Sequence, residues 1–246
     1  MRIWILTKSG AEKSFGDDRV IIGKNVYYNA DTSTEIEPPF VAAVADGVGG
    51  AAGGADAACF VAKKLSEYPF NIPLNADSVR SELVRVNNAL LKQAKVFPEK
   101  AGMATTLSGI ISDGEAAFIF HVGNTRVYGV FGGYLKQLTG DHTTFEYLKM
   151  TGNDSAAQSC NKSEITACIG GGTPDYLSRL EVFSFDKFSE LSRIVLTSDG
   201  VHDYADIDTL ERLLTGELTD KTCRRIMEAA LLKGSRDDIS VVIIEK

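Results

Sequence analysis

The sequence is sparing with the residue types that would place it in several common classes. Of its 246 residues only four are cysteine (Cys59, Cys160, Cys168 and Cys223) and three are histidine. The cysteines are scattered, without the close pairs of a zinc site, and a chain of this length needs no disulfide staples. They are therefore expected to be reduced thiols in a cytoplasmic protein. No stretch approaches the roughly 18 apolar residues that cross a bilayer. Met1–Gly10 lacks the charged, apolar and small-residue regions of a secretory signal, and Ile3-Trp4-Ile5-Leu6 reads as a first strand. Basic residues are outnumbered, 26 Lys and Arg against 33 Asp and Glu, for a net charge of −7. That balance argues against nucleic acid or an anionic membrane as the main partner. There is no Gly-Lys-Ser/Thr phosphate loop, no zinc-protease motif and no nucleophile elbow. No repeat, low-complexity run or linker divides the chain, so residues 1–246 are expected to form a single domain.

Strand-like segments open the chain, at Arg2–Lys8, Arg19–Gly23 and Phe40–Ala45. Two helix-like segments follow. Ala55–Tyr68 places Ala58, Val61, Ala62 and Leu65 on one face, and Ser78–Val96 does the same with Leu83, Val86, Leu90 and Leu91. Asp77 or Ser78 is the expected N-cap of the second, with Pro98 just beyond its end. Short strands come next, at Thr105–Ser112, Ala116–Val122, Arg126–Phe131 and Tyr134–Leu138, with Asp113-Gly114 and Gly132-Gly133 as hairpin turns. Asp141–Lys162 is polar with few apolar anchors, and is expected to be an irregular flap. Strands resume at Arg179–Phe185, Ser192–Thr197 and Ile239–Ile244, with helices Asp208–Thr215 and Lys221–Leu232 between the last two. Strands and helices in separate blocks predict an α+β layered fold rather than regular βαβ alternation.

Four acidic positions share one context. Asp46 ends the run Phe-Val-Ala-Ala-Val-Ala, and Asp199 ends Arg-Ile-Val-Leu-Thr-Ser; each is followed by glycine. Asp17-Asp18 and Asp237-Asp238 each lead into an apolar strand. Taken singly, Asp-Gly is a turn dipeptide, and Asp113-Gly114 reads as one. Four carboxylates at the ends of buried-looking strands point instead to a site built on a rigid sheet. If they converge they repel, by about 4 kcal/mol for two charges 4 Å apart at an effective dielectric of 20. Divalent cations relieve that repulsion, and an all-oxygen donor set favours Mg²⁺ or Mn²⁺ over zinc. The glycine-rich stretch 47–54 admits a competing reading, since Gly47-x-Gly49-x-x-Ala52 fits a relaxed dinucleotide fingerprint. Against it, Asp46 would put a carboxylate beside the pyrophosphate. Glu67, the candidate ribose ligand, sits at a helix end before Pro69.

The order of motifs resembles the type-2C, metal-dependent protein phosphatases (the PPM family). Gly10-x-x-Lys13-x-x-Gly16-Asp17-Asp18 resembles the opening Gly-x-x-Arg-x-x-Asn-Glu-Asp pattern. Val44-Ala-Asp46-Gly47-Val48-Gly49-Gly50 is similar to Val-Ala-Asp-Gly-Met-Gly-Gly. Gly102-Met103-Ala104-Thr105-Thr106, His121-Val-Gly123-Asn124-Thr125-Arg126 and Leu138-Thr-Gly-Asp141-His142 follow in the family's order. Leu196-Thr-Ser198-Asp199-Gly200 and Arg236-Asp237-Asp238-Ile-Ser-Val close the set. Each motif is weak alone; seven in order are specific.

The resemblance implies a four-layer α-β-β-α sandwich, two antiparallel sheets flanked by helix pairs. It implies hydrolysis of phosphoserine and phosphothreonine on proteins by a water activated between two Mn²⁺ or Mg²⁺ ions; the protein is also expected to reverse a cognate Ser/Thr kinase and to be a monomer. By position, Asp46 bridges both ions, Asp199 and Asp237 hold the first, Asp17 and the Gly47 carbonyl hold the second, and Asp18 orients these ligands from behind. Lys13 stands where the family carries a phosphate-binding Arg, and lacks its bidentate fork. Asn124 replaces an Asp that helps hold a third ion in many members. Ala167 replaces an Arg, and Val48 replaces a His found in some members. Arg126 is expected to be buried and paired, and His142 to be structural. These departures leave as the alternative a catalytically weak module that binds a phosphoprotein or a kinase; the retained aspartates favour an enzyme.

Overall fold

The computed structural model describes residues 1–11, 13–49, 53–185 and 190–245. Strand β1 (Arg2–Lys8) shows why the fold is layered. Its five central residues are all buried, yet Ile3 and Ile5 enter one apolar cluster while Trp4 and Leu6 enter another. Successive side chains of a strand point to opposite faces, so both faces of this sheet are covered. The remaining strands are β2 (Arg19–Ile22), β3 (Asn25–Tyr27), β4 (Ala30–Glu35), β5 (Phe40–Ala45), β6 (Ala104–Thr105), β7 (Leu107–Ser112), β8 (Ala117–Val122), β9 (Arg126–Phe131), β10 (Tyr134–Gln137), β11 (Ile169–Gly170), β12 (Glu181–Ser184), β13 (Arg193–Thr197) and β14 (Ile239–Glu245).

Two six-stranded antiparallel sheets result, in the orders β10-β9-β13-β14-β1-β4 and β12-β8-β7-β5-β2-β3, with β11 and β6 forming a small separate ribbon. One apolar cluster lies between the sheets and holds Ile3, Ile5, Val44, Ile119, Leu196 and Val242. A second joins the outer face of the β5 sheet to helices α1 (Gly54–Ser66) and α2 (Ala76–Ala94), through Val41, Ala43, Val61, Leu83 and Leu90. In the chain's next helices, α3 (Thr144–Met150) and α4 (Asp154–Ser159) lie apart from these layers, and α5 (Asp199–His202) begins directly after β13. The third cluster packs α6 (Ile207–Thr215) and α7 (Thr222–Leu232) on the outer face of the β1 sheet, through Trp4, Tyr128, Leu210, Leu214 and Ile226. The expected α-β-β-α sandwich is thus the observed one. Each fully buried Leu or Ile contributes roughly 1.5–3 kcal/mol, so three such clusters hold the scaffold firmly.

The two hairpins form at the expected turns. Gly132 and Gly133 both take positive φ, +53° and +96°, as a two-residue type I′ turn requires.

Four local expectations need correction. The cap of α2 is Asn75, not Asp77 or Ser78; Ser78 instead supplies the reciprocal bond of a capping box. The strand expected over Thr105–Ser112 breaks at Thr106, whose N–H turns to the Asp46 carbonyl at 2.8 Å. Asp141–Lys162 is not irregular throughout, because α3 and α4 lie within it. Thr143 caps α3 by accepting from Glu146 N–H, and the helices form through local bonds rather than deep burial. Strands β3 and β4 were not foreseen; β3 is only three residues long and β4 is mostly polar, and each lies at a sheet edge.

Candidate active site

Antiparallel register brings the acidic strand ends together. Arg19 pairs with Ala45, so Asp18 and Asp46 leave β2 and β5 at the same end. Thr197 pairs with Val241, and Ser198 N–H bonds the Ser240 carbonyl at 3.1 Å, which sets Asp199 beside Asp237 and Asp238. Each sheet thus supplies carboxylates to one end of the sandwich. Gly200 permits the closest approach: a Cβ there would lie 2.0 Å from the Asp238 carbonyl oxygen. Any side chain at 200 would push α5, and Asp199 with it, away from β14.

A cavity of about 230 Å³ opens over this end, lined by Lys13, Asp46, Asp199 and Asp237 and roofed by Asn161 and Ser163. Burial raises the Asp46 carboxyl well above its ordinary range, and the charges of Asp18, Asp199 and Asp237 raise it further. Burial and then Asp237 and Asp203 push Asp199 up to about 6. Burial, reinforced by Asp238, pushes Asp18 up to about 7. The lysine responds in the opposite sense. Burial opposes its charge, but hydrogen bonds to Asp237 and Asp17 outweigh that and hold the ammonium above its ordinary range.

The sequence assigned an orienting role to Asp18; the carboxylate that hydrogen-bonds the 10–17 loop is that of Asp238. Asp238 accepts from Gly10 N–H at 2.7 Å, from Asp17 N–H, and from Lys13 Nζ at 3.2 Å. Asp18, only 2% exposed, has no hydrogen-bond partner on either carboxylate oxygen among the described residues. The Ser240 and Ser198 hydroxyls lie close enough to lower its pKa in part, but their hydrogen bonds go to Thr7 and to the Asp238 carbonyl. A buried carboxylate without a donor is expensive.

Among the described residues no three carboxylates, imidazoles or thiols are already gathered into a metal cage. The donor chemistry nevertheless fits hard divalent cations: oxygens only, several charges, and one buried carboxylate lacking any partner. The backbone around Asp46 is well supported. Its carbonyl accepts from Thr106 N–H and Thr105 Oγ1, both at 2.8 Å, and Val48 N–H bonds the Ala104 carbonyl. Gly47 bridges Thr105, while Gly50 and Ala52 of the glycine-rich stretch lie outside the described residues.

The other singled-out residues are located as follows. Asn124 donates to Asp199 Oδ2 at 2.9 Å. Arg126 is paired with Asp141 at 2.6 Å, as expected, and is partly rather than fully buried. His142 is buried, accepts Gly123 N–H on Nδ1, and is structural. Asn161, Ser163 and Asp203 carried no sequence signal. Ser163 Oγ reaches Asp203 Oδ2 at 3.4 Å and so ties the flap end to the segment after Asp199.

Comparison with known proteins agrees with this geometry. The family model for protein phosphatase 2C matches residues 30–233. The serine/threonine phosphatase Stp of Listeria welshimeri is 28% identical over 215 residues, covering 82% of this chain and 83% of that protein. The serine/threonine protein phosphatase PstP of Mycobacterium tuberculosis is 27% identical over 209 residues, 82% of this chain; the chain spans only 40% of that relative's length. Among solved structures, a bacterial serine phosphatase superposes with a TM-score of 0.82 at 24% identity, covering 98% of this chain and 96% of that one, a likeness of fold. Asp17, Asp18 and Asp237 lie outside the matched 30–233 stretch; strand register brings Asp18 to Asp46 and Asp237 to Asp199. With the model matching well over half of its length, the chain belongs to the protein phosphatase 2C family.

Proposed function

We propose that this protein hydrolyses phosphoserine and phosphothreonine on proteins in a reaction that depends on Mn²⁺ or Mg²⁺. The observation that carries the reading is the partnerless buried carboxylate of Asp18 beside Asp46, Asp199 and Asp237, in a chain of this family. Asp46 would be shared between two ions, Asp199 and Asp237 would hold one, and Asp17 with the Gly47 carbonyl would hold the other. Such ions supply positive charge that acidifies a water near neutral pH and neutralises phosphoryl oxygens. The chain's own part is to fix these oxygens on two rigid sheets, to support the Asp46 backbone through Thr105 and Thr106, and to limit water access with the segment 141–162 acting as a flap. Lys13, at the cavity edge, would attract the substrate phosphate as a point charge. The structure of the PstP catalytic domain in complex with two manganese ions supports the choice of metal by analogy.

Residues 1–246 would act as one catalytic domain, and a cognate Ser/Thr kinase would supply the substrates. A monomer is favoured because each apolar sheet face is covered within the chain. No helix among the described residues is long and apolar enough to cross a membrane. A cytoplasmic location is favoured by four cysteines that remain unpaired. The test is phosphate release from a phosphothreonine peptide, expected with Mn²⁺, abolished by a chelator and restored by added metal. Turnover that survives thorough chelation would overturn the reading.

A further inference from the structure

Lys13, which its motif places as a phosphate contact, lies among the acidic residues themselves. Its Nζ lies 3.0 Å from Asp17 Oδ2, 3.0 Å from Asp237 Oδ1 and 3.2 Å from Asp238 Oδ2. Carboxylates 4 and 224 residues away along the chain thus converge on a cation that the chain itself carries. The side chain is only 34% exposed, unlike a lysine trailing in solvent. Its loop is also held in place. Asp238 accepts from Gly10 N–H at one end and Asp17 N–H at the other, and Lys13 N–H donates to the Gly10 carbonyl at 3.1 Å. At Gly10 a Cβ would meet the Arg236 carbonyl at 2.3 Å, so the loop lies tight against the segment that carries Asp237 into β14.

We infer that Lys13 is a tethered counter-ion: its ammonium neutralises Asp17 and Asp237, one ligand of each proposed ion, while the site holds no metal, competes with the divalent ions for them, and so sets the affinity for metal. The inference rests on the metal-dependent reading above and deepens it. An ammonium is a single charge on a flexible four-carbon stem, able to leave by bond rotation. A hard divalent ion carries twice the charge and binds carboxylate oxygens directly, so it displaces the ammonium but must do work against it. Once displaced, Lys13 remains tethered beside the cavity, where a phosphate would meet it. One residue then serves two roles in turn, counter-ion first and phosphate contact afterwards. Arginine at this position would keep the competition, and an uncharged residue of similar length would remove it.

The experiment is calorimetric titration of chelator-stripped protein with Mn²⁺, without substrate or phosphate, for the unmodified chain, Lys13→Met and Lys13→Arg. Thermal melts in chelator accompany it. Lys13→Met is expected to bind Mn²⁺ about tenfold more tightly or better. Its chelated form should melt below the chelated unmodified protein, since three carboxylates have lost their cation, and Mn²⁺ should raise its Tm further. Lys13→Arg should stay near the unmodified protein in both measurements. Lys13→Gln, with a polar tip, repeats the comparison if Lys13→Met fails to fold. Equal or weaker Mn²⁺ binding in the uncharged variant overturns the counter-ion role and leaves the metal-dependent reading standing. An unmodified protein that takes up no Mn²⁺ overturns both.

Discussion

Asp238 and Gly10 are separated by 228 residues of chain, yet the Asp238 carboxylate accepts the Gly10 N–H at 2.7 Å. The same carboxylate accepts Asp17 N–H, so one buried side chain closes the loop from Gly10 to Asp17 onto β14. Without it two backbone donors lose their partner, and each unsatisfied buried donor costs about 1–3 kcal/mol. Asp238→Ala is therefore expected to lose about 2–5 kcal/mol of stability in chemical denaturation. Asp238→Asn, which retains an acceptor oxygen, should lose less. Equal stability of Asp238→Ala and the unmodified protein would show that the loop is held by other contacts.

Asp46 and Asp199 lie where catalysis and stability pull apart. Both carboxyls are partly buried and raised first by desolvation and then by neighbouring carboxylates, which marks repulsion in the metal-free state. Asp46→Asn and Asp199→Asn should each lower kcat at least about a hundredfold on a phosphopeptide with saturating Mn²⁺, as expected when a group shaping transition-state charge is lost. In chelator, Asp46→Asn should melt no lower than the unmodified protein, because a repelling charge has gone. Unchanged turnover would remove the residue from the site, and a lower apo Tm for Asp46→Asn would mean its charge is already compensated.

Much of this was legible because the strands are buried on both faces. Phe40–Ala45 is apolar throughout, since Phe40, Ala42 and Val44 face the other sheet while Val41, Ala43 and Ala45 face the helices. The carboxylates stood out against such runs. Strand β4 did not, because Asp31-Thr32-Ser33-Thr34-Glu35 sits on a sheet edge, where pairing with β1 rather than burial makes it a strand. The role of Asp238 was hidden for a geometric reason. It neighbours Asp237 in sequence, but one carboxylate is half exposed toward the cavity and the other is buried behind it. Asn161 and Ser163 reach the cavity from a polar segment in which no residue type distinguishes a lining position. Lys13 matched its motif, but nothing in the spacing foretold that its ammonium would lie among the carboxylates.

Histidine burial predicts a pH dependence of stability. His121 is fully buried, with Nε2 bonded to the Gly140 carbonyl at 2.8 Å and Nδ1 to Ser108 Oγ at 2.7 Å. Burial lowers it to about 4, against an opposing pull from the Gly140 bond and Asp141; Arg179 adds to the lowering. The unfolded chain takes up this proton below about pH 6.5 while the folded protein does not until about pH 4. Stability is therefore lost as pH falls through that window, at up to about 1.4 kcal/mol per pH unit for this group. Raised carboxyls such as Asp18 act with the opposite sign, since the folded state binds their protons first. The clean measurement is the difference between the unmodified protein and His121→Asn, in chelator, at pH 6.5 and pH 5. The unmodified protein should lose about 2 kcal/mol more than the variant over that interval, and parallel losses would contradict a neutral buried His121.

Asn124 offers the sharpest test of how charge is distributed. Its Nδ2 donates to Asp199 Oδ2 at 2.9 Å, so a neutral amide stabilises a carboxylate already raised by burial and by Asp237. Asn124→Asp removes that donor and sets a second carboxylate at hydrogen-bond distance. At an effective dielectric of 20, such a pair costs about 4 kcal/mol at 4 Å, and protonation of one partner relieves part of it. In chelator the variant is therefore expected to melt well below the unmodified protein. Cations should reverse the deficit. Mg²⁺ and Mn²⁺ bind more tightly as ligand charge rises, so the Tm gain on adding Mn²⁺ should be larger for the variant. A weak further ion, empty or held only at millimolar metal in the unmodified protein, should bind more tightly, and the metal dependence of kcat should shift to lower concentration. Anomalous scattering at low Mn²⁺ separates the two cases. Three well-occupied ions in the unmodified protein, with Asn124 bound to the third, would show that the amide is no handicap and that its bond to Asp199 is incidental.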